Sequence, residues 1–169
     1  MHGTVTDYRV YVDGINIEGV TAVSLPNREN MTVSLKGAGI AGEVNMPLKG
    51  KFSSMECSIT LANPNFATLL TRAGYINLSF RTNLQKPDKI TGIMTDVGLK
   101  IDCRCLFKSK SGGKLEIGST IDEEYTFEII SMGEYENGIE KFYVDKLAGI
   151  YREMGVPMNL TERANLGLL

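Results

Sequence analysis

The sequence predicts a mainly β fold: a small β-barrel or sandwich with one short α-helix at about residues 63–73 and an extended glycine-rich hairpin arm. Three observations carry this. Residues 97–107 read V-G-L-K-I-D-C-R-C-L-F, so Val97, Leu99, Ile101, Cys103, Cys105 and Phe107 fall on every second position. Gly98, Lys100, Asp102 and Arg104 lie between them, and only Leu106 departs from the pattern. A strand turns successive side chains to opposite faces, so this is one long strand with a dry face and a wet face. At roughly 3.3 Å per residue it extends about 35 Å. Shorter runs of the same alternation flank it, separated by glycine, proline and asparagine, and the clearest helix signal follows Asn63-Pro64.

The chain has 169 residues, enough for one good-sized core, and 1–169 reads as a single domain. An apolar fraction of 43% with 22% charged residues is ordinary for a folded soluble protein. A formal charge of −2 leaves no basic footprint for gripping nucleic acid. The N-terminal M-H-G-T-V-T-D has neither a charged leader nor an apolar run, and no segment is long and apolar enough to span a bilayer. Cytoplasmic synthesis without export or membrane insertion is therefore expected. Three cysteines outside a secretory context are expected to be reduced packing residues.

Tyr8, Val10 and Val12 alternate with Arg9 and Tyr11, and Asp13-Gly14 turns the chain into Ile15-Asn16-Ile17. Asp-Gly between alternating runs is a strong hairpin signal, because a type I′ turn needs positive φ at both central residues. Residues 20–25 form a third short strand, ended by Pro26-Asn27. Residues 31–36 are a plausible strand, followed by Gly37-Ala38-Gly39-Ile40-Ala41-Gly42, which fits G-x-G-x-x-G letter for letter. A dinucleotide site needs a helix opening straight after those glycines, and here Pro47 and Gly50 stand where it would run. The reading preferred is a long hairpin arm, mobile in the free protein, that orders against a neighbouring subunit.

Residues 52–61 alternate through Met55, Cys57, Ile59 and Leu61 as a further strand. Asn63 then caps a helix, Pro64 fits its first position, Phe66, Leu69, Leu70 and Ala73 line one face, and Gly74 ends it after about ten residues. Residues 75–81 alternate again, 83–89 form a polar turn, 108–113 a flexible tip, 114–117 a returning strand, and Tyr125, Phe127 and Ile129 begin another. Asp122-Glu123-Glu124 reads as a solvated acidic turn, since three adjacent carboxylates on extended chain do not converge on one cation. From Ile139 onward the signals conflict. Ile139, Phe142, Tyr143, Leu147, Ile150, Tyr151 and Met154 lie at helical spacing, whereas Phe142-Tyr143-Val144 and Gly149 favour strand. Periodicity alone tips the balance to a helix. The tail, 157–169, is expected to hold one short helical turn.

Catalytic chemistry is missing from this inventory. His2 is the single histidine and sits at the terminus, so no nucleophile–histidine pair can be built on it. Cys103-Arg104-Cys105 supplies two thiols on one strand face, and Cys57 is the only other cysteine. No paired carboxylates stand at a spacing suited to acid–base work. An enzyme, a cofactor and a metal are accordingly not expected.

Tyr11-Val12-Asp13-Gly14 with Gly19-Val20, then Ser24-Leu25-Pro26, then Gly37-Ala38-Gly39-Ile40-Ala41-Gly42-Glu43 open an ordered set of residues. Gly118, Glu124 and Phe127 continue it. Asp145-Lys146-Leu147-Ala148-Gly149-Ile150-Tyr151, Gly155-Val156 and Arg163-Ala164-Asn165-Leu166-Gly167-Leu168 close it. The set resembles the major tail tube proteins of contractile-tailed bacteriophages and of phage-tail-like bacteriocins, most strongly at the two ends and in the glycine-rich arm. The resemblance implies a small β-barrel or sandwich with one helix, assembled into hexameric rings that stack into a hollow tube. Inner strands of six subunits would line the channel, and a sheath would enclose it.

Under that resemblance the segment from Ile139 is a strand. Residues 28–51 become a hairpin reaching a neighbouring subunit or ring, with Met31, Gly37, Gly39, Gly42, Pro47 and Gly50 as its assembly residues. The implied partners are further copies of the chain, the tail sheath protein, baseplate or initiator and tail terminator proteins, and a tape measure protein in the lumen. DNA would pass without sequence-specific binding, and the location would be the virion. Open sheet edges, normally a hazard, would be satisfied by the next copy. Two other functions fit less well: the tube of a bacteriocin-type or secretion-type injection machine without DNA cargo, and a monomeric ligand-binding β-barrel. The latter needs aromatic platforms in a concave site, and the chain has no tryptophan and scattered tyrosines.

Overall fold

The structure, a computed structural model, describes residues 3–168; His2 lies outside them. The chain opens on a hairpin of β1 (Thr4–Val12) and β2 (Ile15–Ile17). Its turn residues Asp13 and Gly14 sit at φ 49° and 83°, the left-handed pair that a type I′ turn demands. β3 (Val20–Ser24) follows, then β4 (Asn30–Lys36) and β5 (Glu43–Phe52), which pair only with each other as a two-stranded ribbon. The expected strand over 52–61 divides. Residues 53–55 are irregular, and β6 (Glu56–Leu61) carries the alternating Cys57, Ile59 and Leu61 into the core.

The helix is shorter than its signals suggest. A 3₁₀ turn (Pro64–Phe66) leads into α1 (Ala67–Leu70), and Asn63 makes no side-chain capping bond. α1 ends at Thr71, whose backbone N–H and hydroxyl both donate to the Ala67 carbonyl, at 3.0 and 2.8 Å, a back-bond that loosens the final turn. Leu70 is fully buried and Phe66, Ala67 and Leu69 pack beside it, so the short helix closes one end of the core.

β7 (Tyr75–Pro87) and β8 (Met94–Ser111) are longer than expected. The polar stretch 83–89 is mostly strand, and the turn lies at 88–93, where the Asp88 carboxylate accepts from the Ile90 and Thr91 N–H groups. Residues 114–117, expected as a strand, are loop. β9 (Glu123–Glu136) then pairs with β8 along nearly its whole length, and β10 (Ile139–Asp145), β11 (Ile150–Glu153) and β12 (Val156–Pro157) follow. Residues 139–154 are therefore two strands and not a helix. Two-residue turns decide this. Asn137 and Gly138 sit at φ 50° and 81°, Met154 and Gly155 at 52° and 78°, and each pair folds the chain back on itself before a helical turn can nucleate. α2 (Leu160–Asn165) supplies the short helix in the tail.

The large sheet has ten strands and runs β12-β11-β10-β9-β8-β7-β1-β2, with β6 joined to β9 and β3 to β6. It is not closed, so the barrel alternative gives way to an open sandwich. The fork depends on one irregularity. Arg104 pairs with Ser131 and Cys105 with Ile129, which leaves Ile130 as an extra residue in β9. The first half of β9 offers its second edge to β6 and the second half offers it to β10. The extra residue also reverses side-chain parity, so Tyr125, Phe127 and Ile129 face the core before it and Met132 after it.

Beyond the fork, β6 and β3 fold over the long sheet. The Tyr8 hydroxyl of β1 donates to the Val20 carbonyl of β3 at 3.4 Å across the resulting layer. Between the layers Val10, Val12, Leu78, Phe80, Cys103 and Cys105 meet Ile59, Leu61 and Leu70 in one core cluster. All three cysteines are buried and free of disulfides. No helix among the described residues is long and apolar enough to cross a membrane.

Phe127 is fully buried, with its ring 6.2 Å from Phe107 in an edge-on contact beside the fork. Phe127→Ala is expected to destabilise the fold by roughly 3–5 kcal/mol, read as a lower urea midpoint at unchanged slope.

Candidate assembly surfaces

The β4–β5 ribbon projects two chemically different faces. Its register pairs Val33 with Met46 and Leu35 with Val44, while Thr32 meets Pro47, Ser34 meets Asn45 and Lys36 meets Glu43. Met31 and Leu48 extend the first set, so one face is wholly apolar and the other polar. None of this is covered: Met31, Val33, Leu35, Val44, Met46 and Leu48 are 37–49% exposed. A two-stranded ribbon with a bare apolar face is marginal in water on its own.

The six arm residues singled out from the sequence fall at distinct places along the ribbon. Gly37, Gly39 and Gly42 form its tip, with Gly37 and Gly42 at φ 140° and 116°, a region closed to other residues, and no helix follows them. Met31 lies on the apolar face, and Pro47 lies on the polar face and contributes no N–H to the pairing. Gly50 is at the root, where an added Cβ would touch the Tyr151 ring at 3.4 Å.

That root is held firmly. Phe52 sits edge-on to both Phe142 and Tyr151, with ring centroids 5.7 and 5.4 Å away, and those two rings are 5.9 Å from each other. The Arg28 guanidinium stacks 4.0 Å over Phe142. The Ser53 N–H donates to the Glu29 carbonyl at 2.7 Å, Lys146 donates to the Ser53 carbonyl at 2.8 Å, and Lys51 pairs with Glu162 at 2.7 Å. The ribbon thus grows from an aromatic cluster shared by β10, β11 and the chain entering and leaving the arm.

The wet face of the long sheet is the second surface. Cross-strand partners share a face, so the registers define rows. One row runs Asn16, Tyr11, Ser79, Asp102, Gly133, Tyr143, Arg152, Pro157 through every strand from β2 to β12. The next runs Arg9, Arg81, Lys100, Tyr135, Glu140. Cations and tyrosines are interleaved across this face: Arg81 lies 4.7 Å over Tyr11, Lys100 5.0 Å over Tyr135, Arg152 4.3 Å over Tyr143 and, beyond these two rows, Arg104 4.0 Å over Tyr75. Carboxylates take up the remainder, Asp102 at 3.1 Å from Lys100 and Glu140 at 3.0 Å from Arg152. Gly133 is needed here because an added Cβ would stand 2.9 Å from the Tyr135 ring that folds across it. Burial, with Glu140 and Asp102 nearby, pushes the Tyr135 hydroxyl pKa up.

The third surface is a groove of about 410 Å³ on β1, β7 and β8, beginning opposite the last residues of β9 and continuing past its end. Val5, Leu84, Leu99 and Ile101 line one wall and Val23 and Leu25 the other. The free edge of β3 belongs to the second wall, since β3 pairs with β6 alone. Val5 and Leu25 are about half exposed, at 54% and 49%.

One acidic residue departs from the sequence reading. Glu123, expected in a solvated turn, is buried, accepts a 2.5 Å bond from the Tyr125 hydroxyl and lies 3.4 Å from Lys110. The parity of β9 turns it inward with Tyr125 and Phe127. The tyrosine–cation pairing of the wet face was also not anticipated. Its only sequence signal was the polar half of each alternating strand.

A family model described as phage tail tube protein FII matches residues 3–167, nearly the whole chain. No curated protein gives a significant match.

Burial and the bond to the Glu153 carboxylate push the Tyr151 hydroxyl up to about 12, against roughly 10 in an unfolded chain. The folded state thus favours the protonated phenol. Its contribution is complete below about pH 10 and is lost as pH climbs toward about 12. In urea titrations across that window Tyr151→Phe is expected to lose less stability than the parent chain.

Proposed function

Because the chain belongs to the phage tail tube family, we propose that it polymerises as stacked hexameric rings into the inner tube of a contractile tail, the conduit for DNA into the host cell. At the coarser level it is a structural component of a tail tube, a virion part built by self-assembly. The role proposed is mechanical, with no reaction catalysed. A sheath surrounds the tube, initiator or baseplate proteins meet one end, a terminator the other, and a tape measure protein occupies the lumen before DNA does.

The single observation that carries this reading is the β4–β5 ribbon, a rooted arm whose apolar face is bare in one copy. Exposed apolar surface arranged along an arm is stable only against another molecule. The sheet supports the same conclusion, because it ends on unpaired edges at β2 and β12 that a neighbour can continue. A contact between an arm and a different surface of the next copy is heterologous. Rotation closes such a contact into a ring, and translation leaves it open as a filament.

The wet face suits a channel wall. DNA sliding past it meets cations whose charge is shared with a ring or a carboxylate, so few are free to grip phosphate.

Negative-stain microscopy of the concentrated purified chain is expected to show hollow rods or six-fold rings, and a species that stays monomeric at every concentration overturns the proposal. Deleting residues 31–49 is expected to abolish the rods while leaving the far-ultraviolet signature of the sheet. Rods of normal length from that variant would remove the arm from the mechanism.

A further inference from the structure

Among the apolar surfaces left uncovered in each copy, two have the extended, alternating form of a strand contact, and they share no lining residue. One is the ribbon face of Val33, Leu35, Val44 and Met46. The other is the groove walled by Val5, Leu84, Leu99, Ile101, Val23 and Leu25, to which no residue of the ribbon contributes. The ribbon is fixed at its root against β10 and β11, whereas the groove lies on β1, β7 and β8, opposite the last residues of β9 and past its end. Covering either surface therefore takes a second molecule.

We propose that this groove is the receptor for the apolar face of the β4–β5 ribbon from a second copy of the chain. The inference rests on the tube reading only for the presence of that second copy. The groove offers two kinds of interaction. Its floor takes alternate side chains from a strand laid along it. The outer edge of β3 pairs with no strand in one copy, and beyond Val20, whose carbonyl accepts from the Tyr8 hydroxyl, it leaves backbone groups open to that strand. Strand addition of this kind draws affinity from main-chain bonds and selectivity from the pockets that take every second side chain. The ribbon has that alternation, with Val33 and Leu35 on one side of β4 and Thr32 and Ser34 on the other.

That the partner is a second copy rests on the self-assembly of the tail tube family, and the numbers are consistent with it. Each copy carries one ribbon and one groove, so arms and receptors match one to one at any length of polymer. Because the two surfaces differ, the contact has a polarity and propagates without closing on a dimer. The polar ribbon face, Thr32, Ser34, Lys36, Glu43 and Asn45, remains toward solvent or a further subunit.

Disulfide trapping tests the contact. The three native thiols are buried, so cysteines placed on the surface react first. Chains carrying one groove cysteine, Val5→Cys or Leu25→Cys, together with one ribbon cysteine, Val33→Cys or Leu35→Cys, are assembled and mildly oxidised. Non-reducing gels are expected to show a ladder of linked chains. The pair Val5→Cys with Thr32→Cys, on the polar face, is expected to link at least about tenfold less. Val5→Asp and Leu25→Asp, at positions about half exposed in the monomer, are expected to keep the fold by circular dichroism and raise the concentration needed for assembly by about tenfold or more. Tubes that form without any of these cross-links, that link only within one chain, or that assemble normally from the aspartate variants overturn the docking and leave the tube reading intact. A parent chain that never polymerises overturns both.

Discussion

The extra residue at Ile130 is the constraint from which the rest of the architecture follows. An unbroken β9 would keep Tyr125, Phe127 and Ile129 on one face and send Met132 to the other. The bulge instead turns Met132 back to the dry side and bends the strand, so that β6 departs with one half and β10 with the other. Without that fork the long alternating strands would form one flat sheet with its apolar face in water. With it, β6 and β3 fold over, α1 closes an end, and a core forms from a sheet that never joins its own edges.

An open sheet also explains why the surfaces described here lie where they do. The same extension of β1, β7 and β8 that lengthens the wet face leaves a dry flank without cover, which is the groove beside β3. The ribbon repeats this division on a smaller scale. In the proposed assembly the polar halves of both become wall and the apolar halves become contact, so one alternation of residue type along each strand serves channel and polymer together. The interleaved tyrosines and cations give the wall a fixed pattern of charge rather than a free one.

Much of the fold was legible in the sequence because β8 announces itself. Alternation over residues 97–107, the Asp13-Gly14 turn and the tail helix are local signals, and local signals were honoured. In the segment from Ile139 the family resemblance points to strand and the periodicity to helix, and the chain forms strands. Asn137-Gly138, a hairpin turn as strong as Asp13-Gly14, was the local cue that outweighs helical spacing, and it stands directly before the disputed segment. The short extent of α1 leaves no mark in the spacing of its apolar residues; its last turn closes on a carbonyl shared by the N–H and the hydroxyl of Thr71. Glu123 went inward because strand parity outranks charge when a tyrosine hydroxyl and a lysine are at hand. The groove was invisible, since it is made by four segments distant in sequence and by what fails to cover them.

The aromatic trio at the base of the ribbon has a further geometric consequence. β5 is ten residues long, so a tip at the end of such a strand stands on the order of 34 Å from its anchorage. Over that lever each degree of tilt displaces the tip by about 0.6 Å. Phe52 wedged against Phe142 and Tyr151, with Arg28 stacked above, is the packing at the root that sets this tilt. In the proposed assembly the angle between successive copies would then depend on three rings in each protomer, packed far from any seam.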